Sequence, residues 1–531
     1  MTKILSIIAA AACLFCAAIP SMASPFEEGV TLLTEKQFDK KAAAIDKLVQ
    51  SGDERSPDIL QHLLDGRLYY VKKGKTLVFG QPEDNGMAIR SALTGESMGS
   101  VKKRKLRKVS INNELRGHLK TVLAGIDLSH RDKDRRLAAV NKMMASLTPK
   151  SARLLSDRYA VETDAEVKEA LAVAIAITDL HHADPALQAE AIKRMTGSLH
   201  PAVRNALTRF IASGPEPALE RQARKALAAI DERIALYGLV ETVFFGLSLG
   251  SVLVLAAIGL AITFGVIGVI NMAHGELIML GAYTTYVMQQ LLPGHIGLAV
   301  ILSIPAAFAV SGLVGIVIEK AVIRFLYGRP LETLLATFGL SLILQQAVRT
   351  IFSPLNRSVA TPSWMSGSIR INAVLSLTTN RVAILVFSML IFAGLFAILK
   401  KSTMGLQVRA VSQNRPMARA MGVRTARVDA LTFGLGSGIA GIAGVALSQL
   451  TNVGPNLGQA YIVDSFMVVV FGGVGNLWGT LLGGLTLGVA NKFLEPWTGA
   501  VLAKILILLL IILFIQKRPQ GLFPQRGRAA T

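Results

Sequence analysis

The chain is 531 residues long, 52% hydrophobic and only 17% charged, with a formal net charge of +21. Residues 236–531 hold 20 basic and 7 acidic residues among long apolar runs. That pattern argues against nucleic-acid binding and for basic loops on the cytoplasmic side of a membrane. The two cysteines, Cys13 and Cys16, both lie near the N-terminus, so no disulfide framework or thiolate metal site is expected in the remainder.

The first element, "MTKILSIIAAAACLFCAAIPSMAS", has Lys3, an apolar stretch from Ile4 to Ile19, and small residues at Ser21 and Ala23. It is predicted to be a secretory signal peptide over residues 1–23, with an uncleaved anchor as the alternative.

Residues 24–235 read as a soluble, helical, repetitive domain, placed in the periplasm if the signal is real. Ala-rich helices with Asp, His, Glu or Pro starts recur at Asp164, Asp184, His200 and Glu216, 16 to 20 residues apart. Two such helices make a unit of about 36 residues, weakly similar to HEAT-like repeats. Such a stack is usually an interaction surface. Between Leu68 and Ile111 the pattern changes. "RLYYVKKGKTLVFG" alternates around Gly74, which suggests a β-hairpin. "KKRKLRK", Lys102 to Lys108, is either a solvated loop or a docking site for an acidic partner or lipid phosphates. His181 and His182 are expected at the surface. No catalytic constellation or metal-ligand cluster is evident.

Residues 236–531 read as a polytopic membrane domain. Apolar spans are expected near 238–268, 275–292, 296–323, 332–352, 381–400 and 430–450, with a last one near 499–516. The loop Lys400 to Asp429 is strongly basic, as is the tail with Lys517, Arg518, Arg526 and Arg528, so both are expected in the cytoplasm. Consistent topology then requires the apolar segment between the last two spans to form a hairpin or re-entrant pair broken at Gly472–Gly479. Glycines used simply for close helix packing are the alternative.

Three stretches of this domain carry polar signals. "NMAHGE" places Asn271, His274 and Glu276 within an apolar region, where a carboxylate costs roughly 2.5–3.5 kcal/mol. It is expected at the inner end of the first span or just beyond, as a helix break beside a translocation path or as a purely structural break. In the fourth span Thr337, Ser341 and Gln345 recur at i, i+4 and i+8, so they share one helix face. That face either lines a polar path or supplies interhelical hydrogen bonds. The basic loop contains "LQVRAVSQNRPMARAMGV", which can form a short amphipathic helix with Leu406, Val408, Val411, Met417, Ala418 and Met421 as apolar members. A cytoplasmic partner could dock there. No G-x-x-x-x-G-K-[ST] occurs, so any nucleotide hydrolysis is expected in another subunit.

Together with "VVVFGGVGNLWGTLLGGLTLG" and "KRPQGLF", these stretches resemble the inner-membrane permeases of ABC importers for branched-chain amino acids and urea. The signal peptide and helical extension look most like the urea permeases of that family. The resemblance implies an all-α fold, with a multi-pass bacterial inner-membrane permease domain at 236–531 preceded by the HEAT-like domain. It implies a non-enzymatic subunit without cofactor that moves urea, or alternatively branched-chain amino acids or short amides; a passive channel is the rival from another class. It also implies as partners a second homologous permease, two cytoplasmic ATPases that hydrolyse ATP, and a periplasmic substrate-binding protein. The coupling loop would be Gly405 to Gly422, with Arg409, Met417 and Met421 on it. One departure is Val252, where the family often has an aromatic residue after the serine.

Overall fold

The computed structural model describes residues 24–83, 86–144, 147 and 149–523. The expected signal peptide, together with Arg526 and Arg528, lies outside them. The chain divides into two compact units, Met1–Asp231 and Glu232–Thr531.

The first unit opens with α1 (Pro25–Leu33), α2 (Phe38–Gln50) and α3 (Ser56–Leu64). A sheet follows: β1 (Leu68–Val71), β2 (Leu77–Glu83), β3 (Gly86–Ser91), β4 (Ser97–Val101) and β5 (Leu106–Lys108), in spatial order β4-β3-β2-β1-β5. All four pairings are antiparallel. This corrects the all-α expectation for the first unit. The hairpin expected at "RLYYVKKGKTLVFG" is the β1–β2 pair, with Gly74 at φ +96 in its turn, where glycine carries no Cβ penalty. Alternation does the rest: Leu77 joins the helices' core with Leu33, Ile45, Leu48, Ile59 and Leu68, while Val78 faces Met87, Ile89 and Leu106. The basic run is not simply a solvated loop either. Lys103–Lys105 is a single 3-10 turn, and Leu106 to Lys108 form the edge strand. Charge on a sheet edge discourages unwanted pairing with other strands.

The unit continues with α4 (Asn113–Leu128), α5 (Lys133–Met144), α6 (Pro149–Val161), α7 (Ala165–Asp179), α8 (Pro185–Met195) and α9 (Pro201–Ala212). The Asp and His starts are N-caps. Asp164 accepts from the backbone N–H of Glu166 and Val167 (3.0 and 3.2 Å), Asp184 from Ala186 (2.9 Å), and His200 Nδ1 from Ala202 (3.2 Å). Each satisfies an N–H that the first helical turn leaves without an intrahelical partner. His181 and His182 are exposed. Glu162, between α6 and α7, is fully buried at its side chain and takes both Arg136 (3.0 Å) and Arg158 (2.8 Å).

In the second unit, six described helices are long and apolar enough to cross a membrane. They are α10 (Pro217–Ile267), which begins in the first unit, α12 (Ile296–Ala321), α13 (Pro330–Phe352), α14 (Thr379–Lys401), α17 (Thr425–Ser448) and α19 (Leu477–Lys517). Gly499, at φ +78, breaks α19 into two. Two further helices fall short of those six: α11 (His274–Leu291) and the 16-residue α18 (Leu457–Gly472). The break expected at Gly472–Gly479 is the turn from Gly473 to Asn476, after which Asn476 caps α19 (3.0 and 3.2 Å). On the basic side, α15 (Thr403–Gln413) and α16 (Arg415–Ala420) replace the single amphipathic helix expected there. Asn414 ends the first and caps the second, accepting from Met417 N–H (3.0 Å).

Glycines let these helices meet backbone to backbone. A Cβ on Gly275 would lie 2.6 Å from the Gly458 carbonyl oxygen, and one on Gly250 2.7 Å from Leu485 Cα. At Gly281 a Cβ would overlap Gly441.

Candidate functional site: a polar cluster inside the membrane unit

α10 ends at Ile267, and Gly268 at φ +75 reverses the chain. Residues 268–273 then run back alongside α10 before α11 begins. His274 Nε2 lies 2.9 Å from the Ala256 carbonyl. Ala256 is about three turns, or 16 Å, from the end of α10. Asn271, His274 and Glu276 are therefore not at the inner end of the first span, where the sequence placed them, but well inside the helix bundle. What allows it is that the 18-residue α11 starts at that depth rather than level with the end of α10. Non-helical backbone there is tolerated because it is enclosed by protein.

All three side chains are essentially fully buried. Asn271 Oδ1 accepts from Ala273 N–H (3.0 Å), capping the turn that opens α11. The His274 ring, donating from Nε2, fastens that turn to α10. Glu276 Oε1 accepts from Ser341 Oγ at 2.6 Å. Thr337 Oγ1 accepts from Met272 N–H (3.2 Å) and donates to the Thr333 carbonyl (2.9 Å). The polar face of α13 therefore packs on the "NMAHGE" break, and two signals read separately in the sequence form one site. Gln345, a turn further on, donates to Asn456 Oδ1 (3.3 Å), which also accepts from Arg349 (2.8 Å).

The satisfaction of this cluster is incomplete. Asn271 Nδ2, His274 Nδ1, Glu276 Oε2 and Tyr283 Oη are buried and have no hydrogen-bond partner among the described residues. The start of α18 closes the site from the other side. A side chain on Gly458 would run into Glu276 and the Gly275 carbonyl. Two helix N-termini, of α11 and α18, thus meet at Glu276. Each presents partial positive charge from its first N–H groups.

Asn456 and Gly458 were missed by sequence reasoning. The signal was present: "TNVGPNLGQ" follows the apolar α17 just as "NMAHGE" follows α10, with Asn and Gly at a polar break.

The basic loop is a second, separate site. Val408, Val411 and Ala418 pack inward with Val428, whereas Leu406, Met417 and Met421 are 62%, 59% and 78% exposed. Arg415 holds the buried Asp429 with two hydrogen bonds (2.8 and 2.9 Å), anchoring α16 to α17. Gly405 donates to Ser402 Oγ (3.1 Å) and leaves no room for a Cβ beside the Leu399 carbonyl, which Arg409 also contacts. Gly422, at φ +86, ends the loop's last helix. Among the described residues no group of His, Cys, Asp and Glu is placed to hold a metal ion.

Six described helices of membrane-crossing length around a buried polar cluster define a multi-pass membrane protein. Residues 242–515 match the family described as the permease component of branched-chain amino acid transport systems, and the chain belongs to that family. It is 33% identical over 299 residues to the high-affinity branched-chain amino acid permease protein BraD of Pseudomonas aeruginosa, covering 54% of this chain and 96% of the relative. It is 31% identical over 293 residues to LivH of Escherichia coli strain K12 (53% and 94%). More distantly, it is 23% identical to the ribose import permease RbsC of Haemophilus influenzae over 274 residues (50% and 81%). No solved structure matches significantly. These relatives are transport permeases, not enzymes, and the chain is a multi-pass inner-membrane protein.

Proposed function

We propose that this chain is the permease subunit of an ATP-binding cassette importer, with its translocation path beside Asn271, His274, Glu276, Thr337, Ser341 and Gln345. The observation that carries this is the incompletely satisfied carboxylate of Glu276 at the meeting of two helix starts. A purely structural break would be expected to satisfy its buried groups, and intramembrane ionisable residues usually serve transport. The exposed Leu406, Met417 and Met421 on a basic loop are the apolar knob for a cytoplasmic ATPase, which favours a driven importer over a passive channel. Two such ATPases, a second permease subunit and a substrate-binding protein complete the assembly, and the first unit lies in the periplasm.

The substrate favoured first is a branched-chain amino acid. BraD and LivH are named for branched-chain amino acid transport, and the electrostatics of the Glu276 cluster suit such a substrate. A zwitterion needs its charges met by charged groups or helix ends; Glu276 and two helix N-termini supply both. Urea is the second reading. It is favoured by the soluble unit that precedes the family match at residue 242, the feature that resembled urea permeases. Uptake of labelled leucine and labelled urea in cells lacking the gene decides between them. Loss of leucine uptake alone supports the first reading and loss of urea uptake alone the second. If both uptakes persist, the importer assignment falls.

A further inference from the structure

A second charged cluster lies in the membrane unit, away from Glu276. Lys504 pairs with Asp464 at 2.8 Å and Lys492 with Glu495, and all four side chains line one cavity of about 190 Å³. Its apolar wall includes Leu249, Leu253, Leu487 and Ile507. Leu253 is one turn from Ala256, which receives His274, so the apolar wall of the cavity reaches toward the Glu276 cluster, while Lys492, Glu495 and Lys504 at its other side are partly exposed. Lys504 follows the break at Gly499 by little more than a turn.

Charges in a membrane unit are costly unless they face a polar cavity or each other. Here they do both, and the cavity wall is electrically balanced, with two cations and two anions. An anion would draw Lys504 away from Asp464, whose side chain is only 11% exposed, and leave that largely buried carboxylate unpaired, which is strongly unfavourable; a cation would have to displace Lys504 from it. A neutral ligand would leave the pairs intact and gain little from them. A zwitterion can insert between Asp464 and Lys504 so that its ammonium meets the carboxylate and its carboxylate the ammonium, and no charge loses a partner. The volume is below the 300–1,000 Å³ of sites for drug-sized ligands, which limits the occupant to a small molecule. The leucine and isoleucine wall suits an aliphatic side chain.

We propose that this cavity is a binding site for a small aliphatic α-amino acid, held between Asp464 and Lys504. The inference rests on the amino-acid reading above. Asp464 and Gly458 are both on α18, and Tyr461 between them lines the cavity while packing against the apolar cluster that includes Met279 and Tyr283 of α11. The same short helix thus carries one side of this site and closes the Glu276 cluster.

The test is equilibrium binding of labelled leucine to the full importer complex in lipid nanodiscs, without the substrate-binding protein. Wild type is expected to bind leucine at least tenfold more tightly than leucinamide, which lacks the carboxylate, or 4-methylpentanoate, which lacks the ammonium. D464N and K504M should each weaken leucine binding at least tenfold, and D464N should no longer distinguish leucine from 4-methylpentanoate. The exchange D464K/K504D keeps the attraction between the helices. Its melting temperature should stay near wild type while leucine binding stays weak. If the exchange restores wild-type binding, the pair is only a clasp between helices and the proposal is overturned. Unchanged leucine binding in the single variants, with wild-type leucine uptake intact, overturns this site alone. A wild-type importer that takes up urea and neither binds nor takes up leucine overturns the amino-acid reading and this site with it.

Discussion

Glu162 and Glu276 are both buried, yet the first takes two guanidinium groups and the backbone N–H groups of Thr163 and Asp164, and the second a single hydroxyl. Burial alone would push the Glu162 carboxyl up. The Asp164 N–H, Arg136 and Arg158 outweigh it and bring the group down to about 2. Nothing comparable surrounds Glu276, whose Oε2 is unpartnered among the described residues. A carboxylate saturated by its own fold serves that fold. One left with an open oxygen, between helix starts and a row of hydroxyl and amide groups, is fitted to a visiting polar molecule.

The largest effect is expected from a substitution that replaces neither carboxylate. Gly458→Val puts a branched side chain where Gly275 backbone and Glu276 already sit. Besides Glu276 the contact is with the Gly275 backbone, which cannot rotate away, so α11 and α18 must separate rather than repack. Detergent-extracted protein should show no cooperative melt; a near-normal melting temperature would mean that α11 and α18 do not meet as described. Next is Glu162→Ala, which leaves two cations facing each other in a buried site and should cost about 3–5 kcal/mol, read as a lowered first melting transition. Glu162→Gln adds the pH test. Folded Glu162 sits below the ordinary carboxylate range, so its contribution is complete above about pH 5 and is lost as pH falls toward 2. The variant should flatten that acid slope. If wild type and Glu162→Gln lose stability in parallel on acidification, the triad is not what stabilises the unit.

Glu276→Gln sharpens the contrast by leaving size and shape intact. Stability should hold within a few degrees, because Ser341 can still donate to the amide oxygen. Transport should fall about tenfold to a hundredfold, the equivalent of losing a charged hydrogen bond of about 1.5–3 kcal/mol in passage. A variant that melts several degrees lower yet transports normally would make Glu276 structural, like Glu162. A smaller loss, about tenfold in substrate-stimulated ATP hydrolysis with folding unchanged, is expected for Met417→Ser with Met421→Ser, since each methionine would lose its buried contact at the ATPase.

Much of this was readable in the chain, and the failures have physical causes. Apolar length located most of the spans, and basic residues marked the Lys400–Asp429 loop. The i, i+4, i+8 spacing put Thr337, Ser341 and Gln345 on one face. What could not be read was depth. Positive-inside reasoning treats each apolar run as a full crossing, so "NMAHGE" was placed at a membrane surface. The return of residues 268–273 toward Ala256 is a tertiary event, enabled by glycines whose partners are more than 150 residues away, such as Gly275 with Gly458 and Gly281 with Gly441. Alternation in Leu68–Phe79 suggested one hairpin. It did not reveal the remaining strands, whose "SMGSV" and "LRK" lack a hydrophobic period.

The smallest effect is also the most discriminating. Ser341→Ala removes the one hydroxyl that Glu276 receives. In a structural site this would strand a buried acceptor and lower stability by about 1–3 kcal/mol. In a site that opens to a polar substrate the carboxylate recovers a donor whenever the path is occupied. The expected signature is a melting temperature that falls without substrate, recovers in its presence more than the wild type gains, and only a few-fold loss of uptake. A melting temperature equally low with and without leucine or urea would place Glu276 with Glu162, as a carboxylate the fold keeps for itself.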